Sequence, residues 1–230
     1  YMNIAVFSDK FSGTLSAIEV LDIITNKFLD SNINADFFSV TDGGQESTEI
    51  FKSHNFQTYE SFEALNCDNS LSVVESLNIN GSVFFESAKL IGVDSENESV
   101  SINTGCLLEA IQKTEVLGTG GSKTIDLGIG LLSKLGMEFI SNGETIVNPV
   151  PKDFSYIDQI KATNFKSNLE NRILSDTNIS LLGENSAFDV FGPQKGLSEK
   201  DIEKHKLEVE RLITIIDKEL VLGLNPTEIN

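Results

Sequence analysis

Apolar residues run together from Met2 to Ser8, with β-branched Ile4 and Val6 among them, and predict a buried strand. A loop at Phe11-Ser12-Gly13-Thr14 follows. From Ser16 to Leu29 the apolar positions Ile18, Leu21, Ile24 and Phe28 fall at helical spacing, so this stretch reads as an amphipathic helix. Ala35 to Val40 reads as a second strand, Thr41-Asp42-Gly43-Gly44 as a turn, and Gln45 to His54 as a second helix. The order strand, helix, strand, helix implies parallel strands joined by crossover helices.

The texture then changes. Three strand-like runs lie close together, Thr58 to Leu65, Leu71 to Leu77 and Ser82 to Phe85, and Asn78-Ile79-Asn80-Gly81 has the composition of a hairpin turn. This antiparallel stretch predicts a second lobe, with a division near residue 66 between a Rossmann-like portion (1–66) and a mixed α/β portion (67–230). Within the second portion, Thr104 to Lys113 reads as a helix and Glu115 to Leu117 as a strand. The glycine cluster beginning at Gly118 then leads into a helical run ending at Leu135, and Met137 to Ile140 reads as a further strand. Asn148-Pro149-Val150-Pro151 marks a bend. Ser198 to Leu220 closes the pattern as a long acidic helix, with Ser198 as N-cap, Asp201 in the first turn, and Ile202, Val209, Leu212, Ile213 and Ile216 as its apolar stripe. Repeats and low-complexity tracts are absent.

Charge sharpens this picture. The 230 residues carry 35 acidic against 17 basic side chains, a formal net charge of -18. A field of that sign repels nucleic acid and anionic lipid, so neither is an expected partner, and any anionic ligand must be held by backbone amides and a few placed cations. With 40% hydrophobic and 23% charged residues the chain is ordinary for a globular protein. No apolar run reaches the roughly 20 residues that span a bilayer, and the first residues lack a signal-peptide pattern, so a cytoplasmic location is expected. Cys67 and Cys106 are expected to be free thiols, and the separated His54 and His205 give no zinc pattern.

Three segments could carry chemistry. Gly118-Thr119-Gly120-Gly121-Ser122-Lys123-Thr124 lies between a strand and a helix, where glycines admit a ligand to the backbone and a helix N-terminus offers N–H groups to an anion; Ser122 and Thr124 add hydroxyls and Lys123 a cation. Its glycine spacing matches neither the Walker loop nor the dinucleotide fingerprint, and a plain tight turn is the alternative reading. Asp42, at a strand end, could hold magnesium or take a proton, or could cap the next helix; Asp9 has the same pair of readings. Phe191-Gly192-Pro193-Gln194-Lys195-Gly196 reads as a loop with one cation.

Taken in order, these and other segments resemble the glycerate kinase family. Ser8 to Ala17 is similar to the family's Pro-Asp-Ser-Phe-Lys-Gly-Ser-Leu-Ser-Ala, and Asp42-Gly43-Gly44 to its Asp-Gly-Gly-Glu-Gly. Glu86-Ser87-Ala88, followed by Gly92-Val93, resembles Glu-Met-Ala-x-x-x-Gly-Leu, and Thr104-Gly105 the Gly-Thr-Gly helix entry. Gly118 to Leu132 resembles Gly-Ile-Gly-Gly-Ser-Ala-Thr-Asn-Asp-Gly-Gly-x-Gly-Met-Leu. Leu181-Leu182-Gly183 with Val190 to Gly196 is similar to Leu-Leu-Gly…Val-Phe-Gly-Pro-Gln-Lys-Gly, the most specific of the set. The resemblance implies a two-domain α/β protein that transfers the γ-phosphoryl of ATP, with Mg2+, to a hydroxyl of glycerate in a cleft between domains. It implies catalytic roles for Asp42, Asp126 and Lys195, with Asp42 also the metal ligand. Nucleotide contacts fall to Lys10, Gly120, Gly121 and Ser122, and substrate contacts to Asp9, Glu86 and Asp176.

The pattern also departs from the family. Ser12 stands where the family loop has lysine, with Lys10 two residues away. Gln45-Glu46 replaces Glu-Gly, Ile125 replaces an asparagine, and Ser175-Asp176-Thr177-Asn178-Ile179-Ser180 replaces Cys-Asp-Val-Asp-Asn-Pro. Family members continue past the Ser198 helix with glycine-rich segments, so the resemblance implies a shortened chain. Two other readings follow from these departures: a non-catalytic relative that binds a small anion or a partner protein, and a homodimer whose second copy completes the cleft.

Overall fold

The computed structural model describes residues 4–11, 13–29, 33–165 and 169–220; Ser12 lies outside them. Strand β1 (Ile4–Ser8), helix α1 (Ala17–Leu29) and strand β2 (Ala35–Ser39) form a crossover unit in which β1 and β2 pair in parallel from Ile4↔Ala35 to Ser8↔Ser39. Ser16 starts α1 through a reciprocal box: Glu19 Oε2 accepts from the Ser16 amide at 2.8 Å, and the Glu19 amide donates to Ser16 Oγ at 3.2 Å. The expectation that β1 is buried is not met. Helix α1 covers one face, where Phe28 meets Phe37 edge-on, while on the other Phe7 is 65% exposed and stacks on Phe38 at 5.2 Å. A two-stranded sheet with one covering helix cannot bury both faces.

Helix α2 (Ser47–Ser53) leads into β3 (Gln57–Leu65), β4 (Leu71–Ile79) and β5 (Ser82–Glu86), which pair antiparallel in succession. Asn80 (φ 52°) and Gly81 (φ 90°) form the two-residue turn between β4 and β5, the left-handed pair that an Asn-Gly hairpin uses. After α3 (Ala88–Ile91), a 3-10 turn at Thr104–Leu107 and α4 (Leu108–Lys113), strand β6 (Val116–Gly118) returns parallel to β5. The division expected at residue 66 falls in the turn joining β3 to β4, two strands paired from Gln57↔Asn78 to Leu65↔Leu71.

Helix α5 (Ile129–Lys134) precedes a three-stranded antiparallel sheet in which β7 (Glu138–Ser141) pairs with both β8 (Glu144–Thr145) and β9 (Gln159–Lys161). Strand β10 (Arg172–Leu174) then adds in parallel to the far side of β6, completing the five-stranded order β10-β6-β5-β4-β3. Helices α6 (Ala187–Phe191) and α7 (Glu199–Leu220) finish the described chain. Asp201 caps α7 through Ser198, as its spacing predicts. The buried face of α7, Ile202, Val209, Leu212 and Ile213, packs with Phe139, Phe154 and Ile160 in one core, and a second core lies between the five-stranded sheet and α3–α4. The architecture is α/β, with a parallel Rossmann-like portion and a mixed lobe. Among the described residues no helix is long and apolar enough to cross a membrane.

Candidate functional site

The carboxyl ends of the parallel strands open onto a common cleft of about 500 Å³. Lys10 follows β1, Asp42 follows β2, Thr119 to Ser122 follow β6, and Ser175 to Thr177 follow β10; Phe191, Gln194 and Lys195 close the far side. Such strand ends are where open α/β sheets gather ligands. The expected site residues Lys10, Asp42, Gly120, Gly121, Ser122, Asp176 and Lys195 therefore meet in one place.

Glycine makes the meeting possible. The Asp42-Gly43-Gly44 loop presses on the β6 loop so closely that a Cβ at Gly118 would lie 2.0 Å from the Gly43 carbonyl oxygen. Asp42 Oδ1 accepts from the Gly44 amide at 2.8 Å, which closes the turn, and Lys10 Nζ donates to the Gln45 carbonyl at 3.0 Å, tying the β1 loop to it. On the β6 loop Gly121 is left-handed (φ 75°), and among the described residues the amides of Gly120, Gly121 and Ser122 donate to no acceptor. Successive amides around a left-handed glycine form an anion-holding concavity.

That cradle differs from the expected one. No helix starts at the loop: α5 begins at Ile129, because Leu127 (φ 55°) and Gly128 (φ 76°) are left-handed and the Lys123 amide is drawn to Ile91 O at 2.8 Å. Lys123 does not supply its cation here either; Nζ bonds the Ser95 carbonyl, in a neighbouring groove.

Asp126 is 1% exposed and fully engaged. Its Oδ2 accepts from the Thr104 amide (2.7 Å), Thr104 Oγ1 (2.9 Å) and the Gly130 amide (3.1 Å), and its Oδ1 from the Gly128 amide (3.0 Å). Burial raises its pKa, and these donors oppose the rise. Lys195 Nζ donates to the Thr124 carbonyl at 2.8 Å; burial lowers its pKa to about 8, with the Asp126 charge opposing. Asp126 is absent from the lining of this cleft; it lines an adjoining cavity of about 210 Å³ that shares Phe191 and Lys195 with the cleft.

Glu86, also 1% exposed, accepts from the Glu46 amide at 3.0 Å and the Thr48 amide at 2.9 Å, joining the end of β5 to the start of α2. Asp9 folds back onto the Lys10 amide at 2.7 Å and does not line the cleft. Cleft residues that sequence reasoning left out include Thr119, whose Oγ1 donates to Leu174 O at 3.1 Å, and Gln45, whose Nε2 donates to Asp94 at 2.8 Å. The signal that could have found Ser175 and Thr177 is their place just past a parallel strand.

Fold and cleft together define an α/β protein with its ligand-facing loops at parallel strand ends. The glycerate kinase family model matches residues 4–228, and the chain belongs to that family. It is 25% identical to a glycerate kinase of Bacillus subtilis (strain 168), covering 99% of this chain and 64% of the relative, and 25% identical to a glycerate 2-kinase of Escherichia coli (strain K12), covering 95% and 62%. The chain thus spans less than two thirds of the length of these relatives. Its fold matches the crystal structure described as "putative glycerate kinase 2 from Salmonella typhimurium LT2", with a TM-score of 0.69 and 21% identity over 99% of this chain and 65% of that one.

Proposed function

We propose that this chain binds the phosphates of ATP in the cleft and takes part in transferring the γ-phosphoryl to a hydroxyl of glycerate or a related hydroxy acid. The observation that carries the reading is the convergence of two lysines, a glycine cradle and two carboxylates on one cleft. Phosphoryl transfer rests on positioning and charge neutralisation, which this set supplies. The free amides of Gly120 to Ser122 and the ammonium groups of Lys10 and Lys195 suit phosphate oxygens. Asp42 and Asp176 suit Mg2+, which takes one or two carboxylates and fills its shell with water and phosphate; bound there, Mg2+ would neutralise phosphate charge. Asp42 is also the carboxylate open to a substrate hydroxyl, and can accept its proton. Family membership favours glycerate as acceptor, and a cytoplasmic location accords with substrates of this kind.

The test is ADP release from ATP, Mg2+ and glycerate, with the product identified by mass and Lys195→Met as control. Turnover above that control supports the reading. A second reading, an anion-binding relative without catalysis, is favoured by Ile125 in place of an amide and by the single carboxylate at Asp176 where the family motif has two. It is supported instead if nucleotide raises thermal stability and no ADP forms.

A further inference from the structure

Beneath the glycine loop, and sharing Thr119 and Ser122 with the cleft, lies a second cavity of about 380 Å³. Its walls are mainly Ile91, Leu107, Ile111, Leu117 and Leu131, and none of the described residues lining it is ionisable. Most polar groups at its edge are committed. Thr104 Oγ1 donates to Asp126 and accepts from the Leu131 amide, Thr124 Oγ1 donates to Ile102 O, and Asn171 Nδ2 serves the carbonyls of Ile111 and Thr114.

Besides the half-buried Ser122 at the edge shared with the cleft, Ser87 is the exception. It is 1% exposed, lines the cavity, and its Oγ has no hydrogen-bond partner. Its backbone is fixed at the end of β5: the amide donates to Gly118 O at 3.0 Å, and the carbonyl accepts from Leu90 and Ile91. The hydroxyl therefore cannot escape to solvent by a backbone shift. A buried hydroxyl left unpaired costs about 1–3 kcal/mol, and such a group in a native protein calls for a partner. Serine here also stands where the family segment has methionine, a side chain that fills irregular apolar space.

We propose that this cavity binds a small, uncharged, largely apolar molecule carrying one hydroxyl or carbonyl group, with Ser87 Oγ as its hydrogen-bond partner. The volume lies at the small end of ligand pockets, and a lining of apolar walls with a few placed polar groups is the usual composition of such sites. The site is independent of the phosphoryl-transfer reading and stands whether or not the chain turns over ATP.

Benzyl alcohol and toluene are suitable probes, because they share a body and differ by the hydroxyl. Affinities come from titration of methyl resonances, with Ile91, Leu117 and Leu131 as reporters. Saturable shifts at these methyls are expected, with benzyl alcohol bound about three- to tenfold tighter than toluene, the ratio one neutral hydrogen bond provides. Ser87→Ala should bring the two probes to equal affinity, and Ser87→Met, which also lacks the hydroxyl, should lose the preference as well. The proposal is overturned if neither probe shifts those methyls saturably, or if Ser87→Ala leaves the wild-type preference intact. A wild-type preference for benzyl alcohol in Ser87→Met would also overturn it. Should Ser87→Met not fold, the Ser87→Ala comparison decides alone.

Discussion

Gly44 lies backbone to backbone on Gly120: a Cβ at Gly120 would stand 2.8 Å from Gly44 Cα, and one at Gly44 would stand 3.0 Å from Gly120 Cα. The contact sets the spacing between Asp42 and the amide cradle. Gly44→Ala and Gly120→Ala should each cost about 1–3 kcal/mol by overpacking. Because either methyl already separates the loops, the double variant should cost less than the sum, measured by urea denaturation of all four proteins.

Asp42→Asn separates charge from structure. Asparagine keeps the Oδ1 acceptor that holds the Gly44 amide at 2.8 Å, so the turn and the melting temperature should survive. Turnover by ADP release should fall on the order of 100-fold, as losing one transition-state electrostatic contact does. A large drop in melting temperature would assign Asp42 to the fold instead.

Lys195 gives a pH signature. With a pKa near 8 when folded and about 10.4 when unfolded, the unfolded chain holds a proton in that window that the native state lacks. Native stability therefore bears the full cost of the buried ammonium below about pH 8 and recovers as pH rises toward 10.4. Lys195→Met should flatten this rise in thermal melts run across the window. Phosphate affinity of the wild type should weaken above pH 8 as the ammonium is lost.

Two non-glycine residues hold left-handed backbone where the family segments have glycine, Glu46 (φ 75°) and Leu127 (φ 55°). Their substitutions should differ in sign. Glu46→Gly relieves roughly 1 kcal/mol of strain and loses only the 3.3 Å contact of Oε2 with the Ala17 amide, so a small net gain is expected. Leu127→Gly relieves the same strain but removes a side chain packed on the α7 core, so a net loss of at least about 1 kcal/mol is expected. Chemical denaturation of both variants checks the pair.

Asp126→Ala should be the most destabilising change in this region, by about 2–4 kcal/mol, since it strands the buried amide of Gly130 and the part-buried amides of Thr104 and Gly128 together. An unchanged denaturation midpoint would return Asp126 to a purely chemical role.

The sequence alone determined what depends on neighbours along the chain. Ser198 with Asp201 announces a helix start because a side chain three residues on can reach back to the cap. Asn80-Gly81 announces its hairpin because few residues tolerate two successive left-handed positions. The order of strand-end motifs carried the family, and with it Lys10, Asp42, Asp176 and Lys195 as candidates. Tertiary structure alone decided what depends on distant surroundings. It buried Asp126 beside the cleft, turned Glu86 into a clasp for α2, aimed Lys123 at Ser95 and left Ser87 unpaired beside a cavity. Burial, desolvation and backbone contact are set by whatever packs against a residue, and those neighbours come from far along the chain.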